Sequence, residues 1–185
     1  MLAMNEYEIA VGDMLLKHGF EPYRPVKDKG VDFLAWHGET DRALRIQVKG
    51  SRAYGGPGYT CLHCGEESRG DGGGWFQLNI SRHKERQDLA DFYFFVWPRF
   101  GRKGRAFLDQ CVIIPSPDSR NRIRIAGCFR LFLTVQQDGR TVYDLYGLSK
   151  KEKAGPLHGT GRDYGNYFQA WHALLDPPKA RLLVT

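Results

Sequence analysis

The sequence predicts an α/β fold in which a mixed central sheet is flanked by helices. Three observations support this prediction. The first segment, 4–18, has the apolar spacing of a helix. Segments 31–36 and 43–49 alternate apolar and polar residues as strands do, and the apolar run 92–97 has the length of a buried strand. With 185 residues, of which 42% are hydrophobic, the chain is long enough to form one domain with its own core.

The charge and the composition indicate a nucleic-acid partner and a reducing compartment. The formal net charge is +6, and the positive residues cluster in glycine- and proline-rich neighbourhoods, where they can hold phosphates. A solvated surface is the alternative. The longest uninterrupted apolar run has six residues, too short for a membrane span, so no membrane association is expected. Four cysteines and the absence of a signal-peptide pattern predict a cytoplasmic protein.

The first helix places one carboxylate on its sheet-facing side. Its apolar stripe follows a three–four spacing and consists of Met4, Val11 and Leu15. Glu8 lies on this stripe, whereas the opposite face is charged and solvated, and Gly19 ends the helix. An inward carboxylate is costly unless it is paired, protonated or near a cation. Glu8 is therefore either a rim residue that reaches water or a member of a site.

The two strands after the helix bring polar side chains together. If they pair as an antiparallel hairpin, Asp32 near the start of the first lies across from Gln47 and Lys49 near the end of the second. Gln47 and Lys49 are two residues apart and point the same way. Aspartate is a poor strand former, so Asp32 either caps the preceding turn or coordinates a cation. Likewise, the pair Gln47 and Lys49 is either a solvent-facing strand end or part of that cation site.

The remaining chain contains an insertion, several strands and two helical segments. Residues 50–74 hold nine glycines and little apolar periodicity, which predicts a long loop or insertion. The elements predicted after it are a strand at 75–80, a polar helix at 81–91, the strand at 92–97, a strand at about 107–114, a hairpin that joins 129–136 to 141–147, and a helix at 162–175. The last helix carries an aromatic and apolar stripe from Tyr164 to Leu175, which is either core or the face of a homodimer.

The insertion contains one Cys-x-x-Cys knuckle, formed by Cys61 and Cys64. Such a knuckle is half of a zinc site. Because no second knuckle exists, a structural Zn²⁺ at Cys61 and Cys64 would need single ligands from elsewhere, and two reduced loop cysteines are the alternative. Cys111 lies in an apolar strand and is predicted to be a core thiol.

Phosphate contacts are expected from cations beside the sheet end. Arg82, Lys84 and Arg86 follow a serine cap in the polar segment 81–91, and Arg52 follows the second hairpin strand. A helix N-terminus and cations of this kind can hold phosphates. The alternative for the segment is an ordinary solvated helix.

The ordered set of Glu8, Asp32 and Gln47-Val48-Lys49 resembles the PD-(D/E)XK nuclease superfamily. The opening of the chain, from Glu8 to Asp32, looks much like that of archaeal Holliday-junction resolvases. It also looks like that of Mrr-type restriction endonucleases and related homing endonucleases. In the latter two groups Gln often replaces the Glu of the E-x-K pair, as at Gln47.

The resemblance covers residues 4–50 best. Two later strands, 92–97 and 107–114, fit the rest of the core loosely. The insertion 50–74 and a C-terminal extension, 120–185, match no part of it. The expectation is a single nuclease-like domain over residues 1–185.

The resemblance implies a restriction-endonuclease-like core and metal-dependent cleavage of DNA. Mg²⁺ or Mn²⁺ would be held by the Asp32 carboxylate, the Gln47 amide oxygen and the Val48 carbonyl, since hard cations take oxygen ligands. Lys49 would orient or deprotonate the attacking water and stabilise the phosphorus centre. Glu8 would hold the metal through water or fix Lys49.

Gln47 removes one negative charge compared with an E-x-K pair. Metal binding is therefore expected to be weaker and more dependent on the bound phosphate. Two other hypotheses follow from the same residues. One is a catalytically inactive nucleic-acid-binding module on a nuclease-like core, and the other is a coincidental Asp-Gln-Lys set.

Overall fold

A mixed five-stranded sheet with one helix packed on it forms the centre of the computed structural model. The structure describes residues 5–26, 30–54, 73–78, 90–100, 106–116, 129–135, 142–144, 162–163 and 165–176. Its helices are α1 (Glu6–Lys17), a 3₁₀ turn (Gly165–Tyr167) and α2 (His172–Leu175). Its strands are β1 (Phe20–Tyr23), β2 (Phe33–His37), β3 (Arg42–Gly50), β4 (Ala53–Tyr54), β5 (Gly73–Leu78), β6 (Phe92–Val96), β7 (Arg99–Phe100), β8 (Ala106–Phe107), β9 (Cys111–Pro115), β10 (Phe129–Val135), β11 (Val142–Asp144) and β12 (Arg162–Asp163).

The central sheet has the strand order β1-β2-β3-β6-β9. Strands β1, β2 and β3 are antiparallel neighbours, β6 runs parallel to β3, and β9 is antiparallel to β6. A parallel pair needs a long crossover connection, and the insertion lies in the one between β3 and β6. The predicted α/β class with a mixed sheet is confirmed, as is the predicted hairpin, which is formed by β2 and β3.

Helix α1 covers one face of the central sheet. The Asn5 side chain caps it by accepting from two backbone amides of the first turn, and Gly19, at φ +80°, follows its end in the left-handed conformation. As predicted, Val11 and Leu15 are fully buried. They share a core with the alternate apolar residues of β2 and β3, which are Phe33, Ala35, Leu44, Ile46 and Val48. None of the helices in the described ranges is long and apolar enough to cross a membrane.

A second sheet packs on the opposite face of the central sheet. It is antiparallel, with the order β12-β11-β10-β5-β4. Phe76 of β5 makes edge contacts with Phe95 and Trp97 at ring-centroid distances of 5.2 and 5.9 Å. Strand side chains alternate, so these residues point away from α1. This face is buried over β6 and β9, whereas Tyr23 on β1 and Leu34 on β2 are 53% and 41% exposed.

The prediction of a helix at 162–175 is wrong. In its place, the edge strand β12 and a 3₁₀ turn come first, and α2 begins only at His172. Phe168 forms a bridge with β9. The amide of Gln169, at φ +50°, donates to the Cys111 carbonyl at 3.0 Å. Pairing with the edge of the central sheet therefore overrides the local helical pattern.

Part of the stripe assigned to that helix still packs on the core. Leu174 is buried, and Trp171 packs against the core and stacks on the His18 ring at a centroid distance of 4.0 Å. Burial lowers the pKa of His18. Tyr164 lies outside the described residues, and the homodimer stays a prediction.

The strand predicted at about 107–114 is divided in two. Its first part is β8, which pairs with β7 in a separate two-stranded sheet, and its second part is β9 in the central sheet. Cys111 in β9 is a free and fully buried thiol, and burial raises its pKa. The predicted core cysteine is confirmed.

The other strands agree with the predictions except for shifted ends. β5 lies two residues before the predicted 75–80, and β10 and β11 form the predicted antiparallel hairpin. The ends of the insertion contribute β4 and the start of β5, which pair with each other. The polar helix predicted at 81–91 lies outside the described residues except for its last two positions, which are not helical. Cys61 and Cys64 also lie outside them.

Gly74 lies where β5 crosses the central sheet, and a Cβ there would stand 2.5 Å from the Phe76 ring and 2.9 Å from the Trp97 Cβ. Gly74→Ala is therefore expected to lower the free energy of unfolding by about 1–3 kcal/mol in urea denaturation. Gly12→Ala is the matched control, because a Cβ at Gly12 meets the Phe33 ring at an ordinary 3.7 Å and alanine favours a helix. Equal losses in both variants would contradict the packing of β5 on the central sheet.

Candidate active site

The start of β2 and the end of β3 place the predicted site residues side by side. Phe33 pairs with Ile46 in the antiparallel register, so Asp32 lies opposite Gln47. The Asp32 amide donates to the Ile46 carbonyl at 2.8 Å and continues the ladder by one residue. The hairpin thus brings Asp32 to the strand end that carries Gln47 and Lys49.

The Asp32 carboxylate binds the backbone between the other two residues. Its Oδ2 accepts from the Val48 amide at 2.6 Å, which is a short, charge-assisted hydrogen bond. The carboxylate is partly buried, and a lower local dielectric strengthens such a bond. The Asp32 side chain therefore ties the start of β2 to the end of β3.

Gln47 and Lys49 contact each other. The Gln47 amide has complementary partners at both ends when its Oε1 accepts from Lys49 Nζ at 3.0 Å and its Nε2 donates to the Gly30 carbonyl at 3.2 Å. Both residues are half-buried. Gly30 has φ +84°, a left-handed conformation that glycine adopts without strain. In this orientation a neutral oxygen accepts from the Lys49 ammonium.

Glu8 forms an ion pair with Arg24, which follows β1 on the side of β2 away from β3. The Glu8 carboxylate lies 3.4 Å from the Arg24 guanidinium and accepts from the Asn5 side chain at 2.7 Å. The Glu8 side chain is 13% exposed, in agreement with the inward position indicated by the helical spacing. Because Tyr23 pairs with Leu34, the next residue, Arg24, lies beside the start of β2.

Arg24 was not predicted from the sequence. The usable signal was the inward carboxylate of Glu8, which requires a cation, together with a basic residue at the end of the extended segment that follows the helix. The structure brings Asp32, Gln47 and Lys49 together and gives Glu8 contacts with Arg24 and Asn5. The roles suggested for Glu8 at the metal or at Lys49 stay predictions.

The site lies where an exposed region of the sheet meets a buried one. Gln47 pairs with Tyr93 and Lys49 pairs with Phe95 in the parallel register of β3 and β6. Both aromatic residues are buried, so the polar groups of the site border an apolar wall. A nearby low-dielectric region strengthens the electrostatic interactions of Lys49.

The oxygen donors at the strand ends suit a hard cation but carry only one negative charge. They comprise a carboxylate at Asp32, an amide oxygen at Gln47 and a backbone carbonyl at Val48. A bound cation would share or displace the contact of the Gln47 oxygen with Lys49. In the ranges that the structure describes, no three His, Cys, Asp or Glu side chains are grouped to hold a metal ion. A carboxylate, an amide oxygen and a backbone carbonyl are donor types that a weakly held Mg²⁺ or Mn²⁺ accepts.

Of the four cations predicted to contact phosphates, the described ranges include Arg52. It is exposed and lies three residues after Lys49, next to Ser51, whose amide donates to the Val96 carbonyl at 3.0 Å. Arg82, Lys84 and Arg86 lie outside those ranges.

No family model, curated protein or solved structure matches this chain.

Gln47→Glu adds a carboxylate beside Asp32 and Lys49. It is expected to tighten Mn²⁺ binding on the order of tenfold, because carboxylate count sets the affinity of hard-cation sites. Isothermal titration calorimetry measures this change. The control combines Gln47→Glu with Asp32→Asn, which returns the charge count to that of the natural chain and should bind Mn²⁺ no more tightly. An unchanged affinity in the single variant would show that Gln47 is not a ligand.

Proposed function

We propose that this protein is a metal-dependent endonuclease that hydrolyses phosphodiester bonds in DNA on a restriction-endonuclease-like core. One observation carries the proposal: the polar groups of Asp32, Gln47 and Lys49 lie together at the adjoining ends of two paired strands. Phosphodiester hydrolysis needs oxygen ligands for a cation and a positive group for the phosphate, and this set supplies both. The net charge of +6 supports a polyanionic substrate.

The topology supports the proposed core. Helix α1 precedes the antiparallel strands β1, β2 and β3, and β6 extends the sheet parallel to β3. A mixed sheet with a helix against it agrees with what the resemblance of residues 4–50 implies. The three site residues all belong to this part of the chain.

Asp32, the Gln47 oxygen and the Val48 carbonyl would hold the cation. When bound, Mg²⁺ neutralises charge on the scissile phosphate and polarises the attacking water. The hydrogen bond from the Val48 amide fixes the Asp32 carboxylate in place, so little side-chain freedom is lost when a cation or a substrate binds.

Lys49 would contact the scissile phosphate and the attacking water. Its ammonium donates to the Gln47 amide oxygen, and because that amide is neutral, Gln47 does not cancel the positive charge that attracts the phosphate. The buried Phe95 beside it strengthens that attraction. Glu8 takes no direct step in this proposal, because its described contacts are with Arg24 and Asn5.

A nucleic-acid-binding module without catalytic activity is the second candidate. The observation that favours it is that polar groups of the site form hydrogen bonds with one another: Asp32 accepts from the Val48 amide, and the Gln47 oxygen accepts from Lys49. A site of this kind needs no cation to compensate buried charge. The positive net charge would then serve binding alone.

Lys49→Ala and Asp32→Ala test the catalytic proposal. With Mg²⁺ or Mn²⁺ the natural chain is expected to nick or cut DNA, and each substitution is expected to lower the cleavage rate at least about 100-fold. Gel analysis of labelled DNA measures the rate. Lys17→Ala, which removes an exposed cation from the last turn of α1, is the matched control and should cut normally.

Circular dichroism of each variant shows whether the fold is intact. Cutting that survives both site substitutions, or that continues in excess chelator, would refute the nuclease. Salt-dependent DNA binding without metal-dependent cutting by the natural chain would favour the binding module.

Neutralising Arg82, Lys84 and Arg86 together tests the phosphate contacts. Each phosphate contact releases counterions, so the logarithmic salt slope of DNA affinity is expected to flatten by up to about three units. The loss should be even across DNA sequences, because backbone contacts carry no sequence information. Fluorescence anisotropy over a range of salt concentrations measures the slope, and an unchanged slope would remove these cations from the interface.

A further inference from the structure

One half of the sheet face that carries the site is exposed. Tyr23, Leu34 and Arg45 form one row across β1, β2 and β3, and Trp36 lies in the next row. Together these four residues form the open face. Tyr23 is 53% and Leu34 41% exposed, Arg45 is exposed, and Trp36 is half-buried.

Hydrogen bonds hold the two aromatic rings of the open face. The Tyr23 hydroxyl donates to Glu21 at 2.6 Å, and Trp36 Nε1 donates to Asp41 at 3.3 Å. The bond to Glu21 raises the pKa of Tyr23. Rings that are already oriented lose little conformational entropy when another ring stacks on them.

The open face offers ring surface and no unbalanced positive charge, because Asp91 balances Arg45 and the carboxylates that hold the two rings, Glu21 and Asp41, lie at its edge. The Arg45 guanidinium binds both oxygens of Asp91, at 2.7 and 3.1 Å, and the Arg45 amide donates to the same carboxylate at 2.8 Å. Such a surface suits the uncharged faces of nucleotide bases better than it suits phosphates. In a duplex these faces are stacked inside, whereas unpaired bases can stack on protein side chains.

The open face continues into the candidate site. Leu34 and Asp32 lie on the same side of β2, two residues apart, which is about 7 Å along a strand. Across β3 from Asp32, the buried rings of Tyr93 and Phe95 border the other side of the site. A nucleic-acid strand whose bases lie on the open face would therefore bring a neighbouring phosphate to Asp32 and Lys49.

We infer that the open face stacks unpaired bases and that the substrate is DNA with a single-stranded region beside the scissile phosphate. This inference rests on the proposed nuclease function and names its substrate class. Tyr23 and Trp36 are specificity-determining residues in this account, and Leu34 contributes apolar contact between them.

Fluorescence anisotropy in the presence of chelator tests the inference, with a labelled single strand and a fully paired duplex of the same sequence. Tyr23→Ala is expected to raise the Kd for the single strand at least about fivefold, and the Kd for the duplex by less than about twofold. Tyr23→Phe keeps the ring but loses the hydrogen bond to Glu21, so its Kd for the single strand should lie between those of the natural chain and Tyr23→Ala, and its Kd for the duplex should not change. Leu16→Ala, which removes a 58% exposed apolar side chain from α1, is the surface control and should also bind normally.

Two outcomes would overturn the inference: no change in single-strand affinity, or an equal change on both DNAs. An unchanged single-strand affinity together with altered sedimentation of Tyr23→Ala would assign the open face to a second copy of the chain. Cleavage assays with Mg²⁺ separate this inference from the nuclease itself. If the natural chain cuts DNA with Mg²⁺ and Tyr23→Ala cuts single strands at the same rate, base stacking on the open face is refuted and the nuclease proposal stands. If Tyr23→Ala binds single strands more weakly but the natural chain does not cut DNA, base stacking on the open face is supported and the nuclease proposal is refuted.

Discussion

The register of β2 on β3 is the constraint on which the rest of the site depends. Because strand side chains alternate, this register sends Ile46 and Val48 into the core under α1 and leaves Gln47 and Lys49 on the other face. A slip of one residue would bury an amide and an ammonium against the helix. The hydrogen bond from the Val48 amide to Asp32, at 2.6 Å, stabilises the correct register at the end of the hairpin.

The face that carries Gln47 and Lys49 has two different neighbourhoods. Over β6 and β9 it is buried, and Phe76 of the second sheet packs there on Phe95. Over β1 and β2 it is exposed and carries Tyr23. The site lies between the two, so its charged groups are shielded on one side and accessible on the other. That position suits both the proposed chemistry and the proposed approach of a nucleic-acid strand.

Local patterns were sufficient for α1, β2 and β3, because each has a regular apolar period and the ends are marked by residues such as Gly19. The contact between Gln47 and Lys49 follows from their spacing of two. Features set by distant parts of the chain were not predictable in this way. The edge pairing of Phe168 and Gln169 replaced the last helix, the second sheet joins β5 to β10 across a long separation, and Arg24 meets Glu8 only once β1 has folded back under α1.

In the proposed nuclease, a cation and a DNA phosphate meet at the ends of β2 and β3. Anomalous diffraction from a crystal of the Lys49→Ala variant with DNA and Mn²⁺ shows whether they do. We expect a manganese peak bound by the Asp32 carboxylate and the Val48 carbonyl, with a phosphate oxygen in the same coordination sphere. DNA bound on another surface, with no manganese at Asp32, would contradict it.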